Sequence, residues 1–212
     1  MSQIFDFLFG PYHHYDPLDI LLELTAVVFG LLSVWYAQKN KLWVYPTGMI
    51  STAIYVYLLL QWTLLGDTLI NVYYFVMSVY GWFYWSKKEG EVVLHPIDTM
   101  SRGESKWALI LFVASLLFVY GVYQFFGYWK SWIAYADTFT TGLFFVGMWL
   151  MARRKIQHWL FWIVGDLISI PLYWYKGFAL TALQYLIFTL IALYGYRSWK
   201  KILDKSALPS TG

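Results

Sequence analysis

Apolar residues run along this chain in seven blocks, separated by short breaks that carry polar, charged or glycine residues. They predict spans at Leu18–Ala37, Leu42–Gln61, Leu69–Trp85, Trp107–Phe126, Trp132–Met151, His158–Trp174 and Ala179–Trp199. Crossing about 30 Å of hydrocarbon takes roughly 17–25 helical residues, and most blocks have that length. Backbone groups in lipid must pair within their own segment, and the blocks lack the alternation of barrel strands, so helices are expected. The fold class is therefore an all-α membrane protein. Residues 1–17 form an extracytoplasmic segment, 86–106 a cytoplasmic linker loop, and 200–212 a cytoplasmic tail.

Composition agrees with that pattern. Of 212 residues, 60% are hydrophobic and only 13% charged, against about 25% charged in soluble domains. Too little polar surface exists to cover a water-soluble core. The net charge of +3 matters less than its placement. One set of loops holds Lys39, Lys41, Lys87, Lys88, Arg102, Lys106, Arg153, Arg154, Lys155, Arg197, Lys200, Lys201 and Lys205, and the opposite set only Lys130 and Lys176. The positive-inside rule then puts the N-terminus outside and the C-terminus in the cytoplasm. The start lacks the basic region of a cleavable signal peptide. The closing ALPSTG contains an LPxTG-like string without the hydrophobic tail and basic end of a cell-wall anchor, and is read as chance or an appended remnant. With no cysteine, disulfides and thiolate metal sites are excluded, and neither a metal nor a cofactor is expected.

The chain also resembles itself. WVYPTGMISTAIYVY (43–57) sets against FWIVGDLISIPLYWY (161–175) at a shift of 118, pairing Ser51 with Ser169, Tyr55 with Tyr173 and Tyr57 with Tyr175. YGWFYWSKK (80–88) resembles YGYRSWKK (194–201) at a shift of 114, which implies a longer first hairpin. Residues 18–85 and 132–199 thus read as two three-helix repeats. The linker helix 107–126 restores the chain direction, so the two repeats are parallel.

Within QHWLFWIVGDLIS (157–169), Asp166 lies eight residues past His158, roughly 12 Å into its span. An acid near the bilayer centre costs on the order of 2.5–3.5 kcal/mol, so such residues mark functional sites by default, an acid bonded to a neighbouring helix being the plainer alternative. His158, Trp162 and Asp166 recur every four residues, and Ser169 and Tyr173 continue the stripe. Trp162 lies deeper than an interfacial belt requires, whereas for Trp159 belt and binding roles weigh equally. An indole face beside a carboxylate suits a flat organic cation. Asn71, Tyr74 and Ser78 share a face of the third span, and Gln184 lies in the seventh; each is a weaker candidate that interhelical bonding also explains. Glu23 and Asp137 fall near outer span ends, the threonines and Ser51 suit helix packing, and Pro46 and Pro171 mark kinks.

These features resemble the PnuC-type vitamin transporters: the three-plus-one-plus-three plan, YPTGMIS and NVYYFVMSVYGWFYW in the first half, HWLFWIVGD and YGYRSWKK in the second. The resemblance covers residues 18–201. It implies facilitated diffusion of a vitamin across a bacterial inner membrane, with trapping by a cytoplasmic kinase and a homotrimeric assembly. Members handling nicotinamide riboside carry NWxxWxxxN in the sixth span and a glutamine in the third. Here both tryptophans stand at Trp159 and Trp162, but His158 and Asp166 replace the asparagines and Asn71 replaces the glutamine. The pattern is closer to the thiamin-transporting branch, so thiamin is the preferred substrate and nicotinamide riboside the alternative; both are aromatic monocations. Competing classes are a proton-coupled carrier with a His158–Asp166 relay, an intramembrane enzyme and a receptor. No HExxH, paired protease-like aspartates or serine–base pair stands out, so no enzymatic activity is expected. The short loops leave little surface for signalling.

Overall fold

In a computed structural model, residues 16–61, 65–90, 92–127, 132–177 and 179–206 are described. The expectations for residues 1–15, Lys130 and the ALPSTG end fall outside them. The described residues form seven helices: α1 (Pro17–Gln38), α2 (Val44–Gln61), α3 (Leu65–Ser86), α4 (Arg102–Phe126), α5 (Trp132–Ala152), α6 (His158–Tyr175) and α7 (Ala179–Ser206). Between α3 and α4 lies a small antiparallel hairpin, β1 (Lys88–Glu89) and β2 (Val92–Val93). By length and composition alone, α1, α4 and α5 are apolar enough to cross a membrane.

Several helices outrun the apolar blocks that announce them. α1 opens on Pro17, with the Asp16 carboxylate accepting from the Leu18 N–H at 2.8 Å. α4 begins five residues before Trp107 because Ser101 and Glu104 form a reciprocal capping box, and it stops at Gly127 in the left-handed conformation (φ 70°). Substituting Ser101→Ala removes one of those reciprocal bonds. The expected loss is about 1 kcal/mol, read as a lower unfolding temperature in detergent. Pro46 lies in the first turn of α2. A missing N–H breaks no helical bond there, so it marks a helix start rather than the expected kink. Pro171 does lie inside α6.

Adding 114 to the bounds of α2, Val44–Gln61, carries them onto those of α6, His158–Tyr175. The same shift moves Leu65, the start of α3, onto Ala179, the start of α7. The turns behave alike. Asn40 N–H donates to Ala37 O and Arg154 N–H to Met151 O, both at 2.9 Å, and Lys41 N–H to Tyr36 O and Lys155 N–H to Leu150 O, again at 2.9 Å. Asn40 and Arg154 share the left-handed backbone, at φ 52° and 55°. One offset holds throughout, which corrects the 118 register and the longer first hairpin. Four residues is just over one helical turn, so a slip of four still aligns residues on one face and resembles a true match.

Consecutive helices pack within α1–α2–α3 and within α5–α6–α7; between these groups α1 meets α7 and α3 meets α5. Two indole bonds run across that divide. Trp85 of α3 donates its Nε1–H to the Met151 carbonyl of α5 at 3.2 Å, and Trp199 of α7 donates to the Ala37 carbonyl of α1 at 3.0 Å. Both pairs are related by 114. α4 breaks the likeness by packing on α5, where Gly142 admits Phe112: a Cβ there would lie 2.8 Å from the ring. α5 is accordingly buried along most of its length, whereas α1 leaves Leu18, Leu21, Leu24 and Val28 exposed.

The linker segment is stitched to the α5–α6 turn. Ile156 N–H donates to Asp98 O, Asp98 N–H to Arg154 O, and Met100 N–H to Gln157 Oε1. Glu104 bridges both Arg153 and Lys155, at 3.1 and 3.2 Å. At the other end of the bundle Lys176 bonds both carboxylate oxygens of Asp137, at 2.8 and 2.7 Å.

Candidate functional site

α6 has one inward and one outward face. His158, Trp159, Gly165, Asp166, Ser169 and Leu172 are buried, while Leu160, Val164, Leu167 and Trp174 are exposed. That is the stripe expected of a 3.6-residue repeat. Asp166 is therefore turned into the protein. It is 2% exposed, and none of the salt bridges among the described residues involves it.

Two glycines shape what surrounds the acid. A Cβ on Gly165 would lie 2.3 Å from Phe144 Cε1, and one on Gly147 would lie 3.3 Å from Trp162 Cε2. Each helix thus yields a notch to a ring from the other: Phe144 of α5 lies over Gly165, and Trp162 of α6 over Gly147. The two rings stack, with centroids 5.2 Å apart and planes 25° apart. Phe144 also lies near-parallel to Tyr185 of α7, at 6.1 Å and 5°. Tyr185 contacts Tyr173 at 5.1 Å, and Tyr74 of α3 contacts Trp162 at 6.4 Å. Both Tyr74 and Tyr185 lie close enough to interact electrostatically with Asp166. Behind Tyr74, Tyr73 stacks on Phe145 at 4.2 Å. One turn beyond Asp166, the Ser169 hydroxyl is buried and makes no hydrogen bond among the described residues.

The structure brings together Asp166, Trp162 and Tyr74 but separates the other candidates from them. His158 and Trp159 are fully buried in a core with Trp85 and Trp199, near the basic loops. His158 donates from Nδ1 to the Lys155 carbonyl at 2.8 Å, and its ring meets Trp159 at 4.3 Å and Trp199 at 4.7 Å. It lies roughly 12 Å along the helix from Asp166, too far for a direct relay. Trp159 fills a notch at Gly195, where a Cβ would lie 2.6 Å from Cζ2. Ser78 is buried beside Gly48, at the α2–α3 contact. Asn71 donates to the Asp67 carbonyl of its own helix at 3.0 Å. Gln184 is half-buried, and its neighbour Tyr185 makes the ring contacts instead.

Phe144, Phe145, Tyr73 and Tyr185 are absent from the candidates singled out in the sequence. One signal was available for Tyr185: at an offset of 114 it is the counterpart of Asn71. The same offset sets Gly30 and Ser51 opposite Phe144 and Gly165, and Ser33 and Gly48 opposite Gly147 and Trp162. Small residues close the first group of helices where rings line the second.

Comparison with known proteins adds a family. A family model described as nicotinamide mononucleotide transporter matches residues 20–201. The chain belongs to this family. Its relatives include the nicotinamide riboside transporter PnuC of Haemophilus influenzae, 28% identical over 194 residues, with 89% of this chain and 83% of the relative covered. PnuC of Escherichia coli is 26% identical over 202 residues, covering 84% of each chain. The riboflavin/roseoflavin transporter RibM of Streptomyces davaonensis is 22% identical over 190 residues, covering 87% of each. A solved structure described as the vitamin B3 transporter PnuC shares the fold, with a TM-score of 0.66 and 23% identity over 96% of this chain and 87% of that one. The resemblance to PnuC-type transporters is thereby borne out. With its apolar helices, the chain is a multi-pass membrane protein of a transporter family.

Proposed function

We propose that the protein is a facilitative carrier of a planar, cationic vitamin, with nicotinamide riboside the first candidate. One observation carries this reading: Asp166 is buried without a salt-bridge partner among rings of α3, α5, α6 and α7. A cation leaving water for that site recovers its lost hydration from the carboxylate and the aromatic faces. Ser169, Tyr74 and Tyr185 offer hydroxyls suited to a ribose. Riboflavin, named for one relative, carries no positive charge and makes no ion pair with Asp166. Thiamin, preferred on the sequence alone, becomes the second reading, because the relatives named above handle nicotinamide riboside and riboflavin. His158, Asp166 and Asn71, at positions where the riboside motif has amides, still favour it.

The common offset of 114 and the reciprocal indole bonds support two parallel three-helix repeats joined by α4. The charge distribution supports a cytoplasmic basic end and C-terminus, in a bacterial inner membrane. A kinase that phosphorylates the vitamin inside would supply the driving force, without proton coupling. The homotrimer implied by the resemblance is part of the same proposal, and light scattering in detergent tests it.

Proteoliposomes provide the functional test. Labelled nicotinamide riboside should equilibrate saturably, at a rate unchanged when the proton gradient is collapsed, and should accumulate when a riboside kinase and ATP are enclosed. If neither it nor thiamin enters faster than into protein-free liposomes, the reading fails. Trp162→Ala removes the ring stacked on Phe144, and affinity should fall roughly 30-fold by calorimetry. Unchanged affinity would place the ring outside the pocket.

A further inference from the structure

A half-open cleft with basic groups set in an apolar lining lies at the basic end of the bundle, away from Asp166. It is a cavity of about 660 Å³ between the two groups of helices, lined by Arg154, Lys88, Asn40 and the apolar Leu42, Ile97 and Ile202 among others. Among the described residues, no acidic side chain lines it. Arg154 is only 7% exposed, with its guanidinium 4.2 Å above the Trp85 ring and Nη1 donating to the His95 carbonyl at 2.7 Å. Its Nε–H is buried and has no partner among the described residues, and neither has the buried Oδ1 of Asn40. Leaving such groups unpaired costs free energy, and each calls for an explanation beyond packing.

The backbone adds an independent sign. Arg154 adopts φ 55°, a left-handed conformation that asparagine tolerates and arginine rarely does. Its counterpart across the 114 offset is Asn40, which lines the same cavity. Strain of this kind persists only where surrounding structure imposes it, and it clusters at ligand clamps. The local field is positive: burial, then Lys87, Arg153 and Arg154, hold the imidazole of His95 below its ordinary range.

We infer that this cavity binds a phosphate-bearing anion with an apolar body, held by Arg154 and Lys88, with Asn40 lining the same space. A guanidinium presents a fixed fork suited to phosphate oxygens, and the ammonium adds a point charge. The apolar wall takes the rest of the molecule. Because Asn40 follows α1 and Arg154 follows α5, an occupant would join the two groups of helices. The chemistry fits a soluble phosphate monoester or the headgroup of an anionic phospholipid.

Calorimetry on the full chain in neutral detergent tests this with phenyl phosphate, phenol and sodium sulfate at matched ionic strength. Phenyl phosphate should bind at least tenfold more tightly than either control. Asn40→Asp, which keeps the shape and tolerates the same backbone, and Lys88→Gln, at an exposed position, should each weaken it roughly tenfold. Unfolding temperatures should remain within a few degrees of wild type. Reconstitution into nanodiscs with phosphatidic acid, compared with phosphatidylcholine alone, separates the two sources. Lost phenyl phosphate binding only with phosphatidic acid assigns the lipid, and retained binding assigns the soluble ester. Equal binding of phenyl phosphate and sulfate, or full affinity in both variants, would overturn the proposal.

Discussion

Asp166→Asn is expected to weaken nicotinamide riboside binding about a hundredfold while leaving its neutral benzamide analogue within about threefold. The substitution preserves volume, so the rings of Phe144, Trp162 and Tyr185 keep their places. What disappears is the negative charge, which no basic side chain of the described residues balances. Removing one member of a desolvated charge pair costs on the order of 2–5 kcal/mol, and about 2.7 kcal/mol corresponds to a hundredfold. Calorimetry with both ligands reads the difference. Equal losses would mean that the acid serves the fold and not the cation, and unchanged affinity for both would remove it from the site altogether.

Gly195→Val should be among the most damaging single changes away from that site. Its Cβ alone would sit 2.6 Å from Trp159 Cζ2. The indole cannot retreat, because it is 1% exposed and held between His158 and the edge-on ring of Trp199. Overpacking of this kind costs about 3 kcal/mol, seen as lost monodisperse protein or a large fall in unfolding temperature. Gly81 poses the same problem at the counterpart position, where a Cβ would lie 2.3 Å from Tyr45. Pairing Gly195→Ala with Trp159→Phe should recover part of the stability lost by Gly195→Ala alone. An unperturbed Gly195→Val protein would show that the notch is not filled as described.

How much of this was legible in the sequence depends on the kind of signal. The seven helices follow from apolar run length, because hydrocarbon imposes a length on whatever crosses it. Their ends do not, since helices continue wherever caps and propensity allow: Ser101 starts α4 ahead of its apolar block, and α7 runs to Ser206 through a charged stretch. Internal similarity was visible, but matching residues one turn apart on a helix produced a register four residues out. Asp166 and Trp162 stand out because a carboxylate and a deep indole are rare in apolar surroundings. Phe144 and Tyr185 do not, since an aromatic ring in an aromatic-rich chain carries no local mark. Gly147 and Gly165 were the clues: a glycine inside a span records a ring or backbone pressed against it. One tryptophan stayed ambiguous in the sequence. Trp159 stands in the family motif, yet its indole packs against α7, and the motif alone does not distinguish packing from ligand contact.

The paired tryptophan bonds bear on which door of a carrier opens first. Each indole grips a main-chain carbonyl of the opposite half, both at the basic end. Prising the halves apart on that side would break the two together, along with the aromatic contact between Trp85 and Trp199. The ion pair at the far side, Lys176 with Asp137, lies within one half and survives a parting there. On the proposed reading, with the basic end facing the cytoplasm, the empty carrier rests with that side latched, and the vitamin's arrival must loosen two indoles before delivery inward.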